Sequence, residues 1–171
     1  MKLGINIDHI ATIRNARGYD DPSSLIRAVK ICEKNKVDIL TVHLREDRRH
    51  IKDKDLLVLK KVLKLPLNLE MALTQEMIDI AKKIKPSYIC LVPEKRREVT
   101  TEGGINIQKL SKKLFISLYE ICLKYNISLS AFIDPSKEQI LMAKKYGFDT
   151  VEIHTGPLEK KKVSNKEIQK I

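Results

Sequence analysis

Residues 37–50 read VDILTVHLREDRRH. The first half is a short apolar run rich in Ile, Leu and Val, the composition of a strand in a covered parallel sheet. It closes on His43, and a charged loop carrying His50 follows. The same punctuation recurs along the chain. LGINIDH closes on His9, PLNLE on Glu70 and TVEIH on His154. All four histidines therefore fall at a strand end or just past one. A single parallel sheet would bring those C-terminal strand ends to one face, where α/β enzymes place their chemistry.

Working outward, six strands are predicted at Leu3–Ile7, Ile39–Leu44, Leu67–Met71, Tyr88–Val92, Ile127–Ile133 and Thr150–His154. Helical spacing fills the intervals. After a loop, Asp21 caps a helix with Pro22 at its first position, and Leu25, Val29 and Cys32 form its apolar face. The second helix carries Leu56, Leu59, Val62 and Leu63. Thr74 caps the third, which carries Met77, Ile80, Ala81 and Ile84 and ends at Pro86. The fourth runs through Leu110, Leu114, Leu118 and Ile121. The fifth starts at Asp134–Pro135, turns Ile140, Leu141 and Ala143 inward, and stops at Gly147. Five helices thus alternate with six strands, and a sixth is expected near Asn165.

That rhythm implies βαβ units and one parallel sheet. The glycine fingerprint of a dinucleotide fold is missing after the first strand, where Asn6, Asp8 and His9 stand instead. Polar residues at nearly every strand end fit an α/β TIM (β/α)8-type barrel. Such a barrel usually takes ~250 residues, so this chain of 171 is expected to supply six of the eight units and to lack the C-terminal two. No linker breaks it, and residues 1–171 read as a single barrel domain.

Composition narrows the function. Hydrophobic residues make up 43% and charged residues 32%, and there is no tryptophan. The net charge is +11, which fits either phosphorylated substrates or a lysine-rich solvated surface. No aromatic residues alternate with the basic runs, so nucleic acid is not an expected partner. Cys32, Cys90 and Cys122 are scattered and odd in number, as in a reducing cytosol. MKLGINIDH enters a strand at once, leaving no room for a signal peptide, and no apolar run suits a membrane. The expected location is cytoplasmic.

The strand-end clusters carry the chemistry. Asn6, Asp8 and His9 precede Arg14 and Arg17, which either grip a phosphate in two-pronged fashion or serve as loop salt-bridge partners. His43 and Arg45 share strand parity, and Arg48, Arg49 and His50 make a cationic loop that suits phosphate unless Glu46 and Asp47 neutralise it. Glu70, in an apolar barrel mouth, would be pushed up by desolvation and could take a proton near neutrality. Thr100, Thr101, Gly103 and Gly104 offer donors to an anion or simply a turn. Glu152 and His154 both face inward or form a buried structural pair. Two mechanisms fit. Histidines and a carboxylate could hold zinc or manganese in an epimerase or hydrolase. The arginines would repel a dication, however, and no H-x-H or H-E-x-x-H spacing occurs. Metal-free acid/base work on phosphorylated substrates is the favoured alternative.

The stretches NIDHIATIRNARG, TVHLREDRRHI, NLEMA, LVPEKRREVTTEGG, FID and EIHTG resemble the pyridoxine 5'-phosphate synthase family. The resemblance extends over residues 3–156. It implies a TIM barrel that assembles as a homo-octamer and uses neither metal nor organic cofactor. The implied reaction condenses 3-amino-2-oxopropyl phosphate with 1-deoxy-D-xylulose 5-phosphate, releasing phosphate and water, in vitamin B6 biosynthesis. His43 and Glu70 resemble its proton acceptors and Glu152 its transition-state stabiliser. Asn6 and Arg17 resemble the aminoketone phosphate site. Asp8, His9, Arg45, His50 and Thr100 resemble the deoxyxylulose phosphate site. The family continues through two more units, with a GHG-type proton donor and an NIGH-type phosphate loop. The alternative expectation is therefore an inactive six-unit remnant.

Overall fold

The computed structural model describes residues 1–94 and 103–156. Six parallel strands, β1 (Gly4–Asn6), β2 (Ile39–His43), β3 (Leu67–Met71), β4 (Tyr88–Leu91), β5 (Ser128–Ile133) and β6 (Thr150–Ile153), form one sheet in chain order. The sheet curls into part of a TIM-type barrel. Each strand lies within two residues of its expected bounds.

The helices are α1 (Asp8–Ala16), α2 (Ser23–Lys34), α3 (Asp53–Val62), α4 (Gln75–Ile84), α5 (Lys112–Tyr125) and α6 (Lys137–Tyr146), with a short 3-10 turn at Ile107–Lys109. The expected helix near Asn165 lies outside the described residues. α1 corrects the expected loop after the first strand. The Asn6 side chain accepts the Asp8 N–H at 2.8 Å, and Asp8 places negative charge in the first turn, which suits a helix N-terminus. A helix therefore begins two residues past the end of β1. The interval between β1 and β2 holds two helices, giving six α-helices among the described residues.

Burial alternates along the strands. Leu40, Val42, Leu67, Leu69, Met71, Leu129, Ala131 and Ile133 are buried, joining one core with Leu25, Val29, Leu56, Leu59, Met77, Ala81 and Leu118 of the helices. The opposite face is polar. Strand register sets Asn6, Thr41, Asn68, Tyr88 and Ser128 in one cross-strand row, and His43, Glu70, Cys90, Ser130 and Thr150 in the next. A parallel strand is commonly apolar on both faces. Here one face serves packing and the other lines the barrel interior with hydrogen-bonding groups.

The helix faces follow expectation in part. Leu25, Val29 and Cys32 of α2 are buried, and so are Met77, Ala81 and Ile84 of α4. Thr74 caps α4 by accepting the Met77 N–H, and the left-handed Lys85 ends it before Pro86. In α6 the expected inward residues Ile140 and Leu141 are 44% and 56% exposed, whereas Ala143 is buried. Lysines occupy the last turns of α2, α3, α4, α5 and α6. There they offset the negative end of each helix dipole, which accounts for part of the net charge without any polyanionic partner. Among the described residues no helix is long and apolar enough to cross a membrane.

Candidate active site

β2 ends on His43, Glu70 stands one residue before the end of β3, and these two residues are register partners. Asp8, the first residue of α1, reaches across and accepts the backbone N–H of His43 at 2.8 Å through one carboxylate oxygen. Its other oxygen accepts the Asn6 amide at 2.9 Å. The start of α1 is thereby tied to the end of β2. Ligand atoms of Asp8, His43 and Glu70 all lie within 4.8 Å of one another. Both Asp8 oxygens and the Nε2 of His43 also hold protein partners, while Nδ1 faces Glu70.

The His43 imidazole is nearly enclosed, with a side chain 6% exposed. Its Nδ1 stands 3.8 Å from Glu70 Oε2, and its Nε2 stands 2.8 Å from Glu94 Oε1. Glu94 lies just past the end of β4. Its second oxygen accepts the Glu46 N–H at 2.9 Å. Sequence reasoning passed over Glu94, because within PEKRRE it looks like one charge in a charged loop. Its position just beyond a strand end was the available signal.

Burial pushes the Glu70 carboxyl up to about 8, helped by the negative charges of Glu152 and Asp8. At neutral pH Glu70 therefore holds its proton. Burial also raises Glu152, though a hydrogen bond from the Cys90 thiol opposes this. Glu152 is an exposed residue of the sheet's edge strand, but its carboxyl leans inward to 3.7 Å from Cys90 Sγ. Burial acts first on Glu94 too, in the raising direction. The hydrogen bonds from His43 and the Glu46 amide overcome it and hold Glu94 below the ordinary carboxylate range.

Arg45 is buried, two residues beyond His43. His50 sits above α1, with Nδ1 2.7 Å from the Thr12 hydroxyl and its ring edge-on to His9 at 5.8 Å. Burial lowers the His50 pKa, and the charges of His9, Arg45 and Arg49 add to that. Asn6, Asp8, His9, His43, Arg45, His50, Glu70 and Glu152 are thus brought to the strand-end face. Arg17 is not. It is exposed and lines a separate hollow between α1 and α2 with Ile10, Ile13 and Tyr19. Thr100 lies outside the described residues.

Other candidates have structural partners. Arg14 is buried and bound by Asp55 through both terminal nitrogens. Arg48 pairs with Asp53 and Glu76, and Arg49 with Asp47. The cationic loop is therefore largely neutralised from within. His154 Nδ1 lies 3.2 Å from Asp134 Oδ1, which also accepts the Gly104 N–H at 2.8 Å. All three cysteines are buried, and burial pushes the Cys122 thiol up to about 12.

A parallel, barrel-type sheet with a polar interior and an imidazole between two carboxylates at its C-terminal face defines a (β/α)-barrel protein equipped for proton transfer. Sequence comparison names the lineage. The model of the family described as pyridoxal phosphate biosynthesis protein PdxJ matches residues 3–171, and the chain belongs to that family. It is 53% identical over 154 residues to a pyridoxine 5'-phosphate synthase from Ehrlichia chaffeensis, covering 90% of this chain and 64% of that protein. It is 52% identical over 175 residues to a synthase of the same name from Prochlorococcus marinus strain AS9601, covering 99% and 71%. The chain thus spans under two thirds of the first relative's length. Among solved structures, the N-acetylmannosamine-6-phosphate 2-epimerase from Clostridium perfringens aligns with a TM-score of 0.52 at 19% identity, over 77% of this chain and 54% of that one. That likeness supports the fold alone.

Proposed function

We propose that the strand-end pocket carries out the pyridoxine 5'-phosphate synthase reaction, joining 3-amino-2-oxopropyl phosphate to 1-deoxy-D-xylulose 5-phosphate in vitamin B6 biosynthesis. The amine of one substrate condenses with the ketone of the other to give an imine. Proton removal forms enamines, phosphate leaves, and aldol closure with loss of water makes the pyridine ring. Each step moves a proton, and none needs an electron acceptor.

The observation that carries this reading is the juxtaposition of His43 and a protonated Glu70, 3.8 Å apart at adjacent strand ends. One group takes a proton while the other gives one, and neither needs bulk water as intermediary. Asp8, His9, Arg45, His50 and Thr100 would hold the deoxyxylulose phosphate. Asn6 would hold the aminoketone phosphate, and Glu152 would stabilise charge in the transition state. The working form would be a homo-octamer in the cytoplasm, with no organic cofactor.

The test incubates the folded chain with both substrates and follows pyridoxine 5'-phosphate and released phosphate. Turnover is expected, and His43→Ala and Glu70→Gln are each expected to lower it by about 10²–10⁴-fold. A folded chain that forms no product, or variants that match the parent, would overturn the proposal.

A further inference from the structure

Glu94 belongs to no substrate site implied by the resemblance, yet it makes the shortest side-chain contact to His43. Its carboxylate is 7% exposed and meets Nε2 at 2.8 Å. The Glu46 amide holds its other oxygen at 2.9 Å, so the carboxylate is gripped from two sides. A neutral imidazole carries one N–H and one lone pair, and an ionised carboxylate only accepts. The hydrogen must then sit on Nε2, which leaves the lone pair on Nδ1.

We infer that Glu94 is a positioning residue, which fixes His43 as the Nε2–H tautomer and so aims the basic Nδ1 toward Glu70 and the pocket. This rests on the proposed reaction for its purpose but not for its geometry. Among the described residues the other charged groups around His43 have their own roles. Asp8, from α1, is spent on the His43 backbone N–H and on Asn6. Glu70, from β3, stands on the Nδ1 side. Arg45 follows on the same segment, and its charge helps keep Glu94 ionised. Among the described residues only Glu94 addresses Nε2. A carboxylate that holds an imidazole in one tautomer sets which nitrogen can act as base.

The experiment uses the folded chain labelled with ¹⁵N-histidine, with the His43 signals assigned by their loss in His43→Ala. At a pH where His43 is neutral, the parent is expected to show pyrrole-type Nε2 and pyridine-type Nδ1. Glu94→Gln gives a sharper outcome. Its carbonyl must still accept the Glu46 N–H, so its NH₂ turns toward His43 and donates to Nε2. The hydrogen is then driven to Nδ1, and the tautomer inverts while the tether persists.

With substrates, Glu94→Gln is expected to lower kcat by about 10²-fold or more, with a smaller change in KM. A merely structural tether would leave tautomer and kcat near those of the parent. An Nδ1–H parent, or a Glu94→Gln chain that keeps Nε2–H, overturns the inference. The parent spectrum decides even if the variant fails to fold. A chain with the expected tautomer but no product would sink the proposed reaction and leave this inference standing.

Discussion

The guanidinium of Arg14 meets the carboxylate of Asp55 at 2.6 and 2.8 Å, with side chains 3% and 0% exposed. Asp55 also accepts the Lys52 N–H at 2.9 Å. The pair fastens α1 to the start of α3, and so holds the face from which Asp8 and Thr12 address His43 and His50. Breaking one half strands a buried charge. Asp55→Ala is expected to cost about 3–5 kcal/mol, read by urea unfolding, and Arg14→Met with Asp55→Leu together should cost less. A single-variant loss under about 1 kcal/mol, the range of an exposed pair, would contradict this.

Stability should fall with rising pH because of Glu70. Its folded value near 8 lies above the ordinary 4.5. Between those values the native state binds a proton that the unfolded chain has released, so unfolding gains favour as pH rises. The full effect by pH 8 is at most about 4 kcal/mol. Urea titrations from pH 5 to pH 8 should show the slope in the parent and a flatter profile in Glu70→Gln. Glu152→Gln should also flatten it, because the Glu152 charge helps raise Glu70. A parent profile that climbs over this range would refute the assignment.

His50 should titrate below its ordinary 6.5, and lower still in Asp8→Asn. Burial lowers it, while the Asp8 charge is the one contribution that raises it. Asparagine retains an oxygen for the His43 N–H and removes the charge, at the cost of the bond from the Asn6 amide. Proton NMR of the imidazole over pH checks both values, and an upward shift in the variant would be incompatible with the geometry.

Gly104→Ala should destabilise the fold. An added Cβ would lie 2.0 Å from the Asp134 backbone nitrogen, where Gly104 donates to Asp134 and Ile105 donates to the Phe132 carbonyl at 2.8 Å each. A loss of about 1–3 kcal/mol is expected for such overpacking, along with faster hydrogen exchange at Ile105. Gly103→Ala is the control, because its nearest neighbour would be 3.9 Å away. Equal effects from the two would argue against the close approach.

The strands were legible because nearly all are apolar runs closed by a polar residue, and the site was legible because His43 and Glu70 are among those closing residues and Glu152 lies two before His154. α1 escaped notice for a physical reason. Its buried positions are Asp8, Ala11 and Arg14, while Ile13 is 63% exposed, so the apolar period points away from the interior. The same inversion misled at Ile140 and Leu141. For Arg14 the sequence left phosphate grip and salt bridge both open, because a chain of letters does not reveal that Asp55 will lie against it. Glu94 was hidden because a carboxylate among lysines and arginines resembles a solvated charge until a histidine is found 2.8 Å away.

The agreement of spatial order with chain order across the sheet has a kinetic meaning. Among the described residues every strand docks on the strand made just before it, and no pairing waits for a distant segment. Loop-closure entropy is then met in small, similar instalments. Growth can proceed vectorially, each new strand, helix and strand crossover settling on the edge already formed. The pocket is assembled in the same sequence, and His43 acquires its second carboxylate only when the segment beyond β4 arrives.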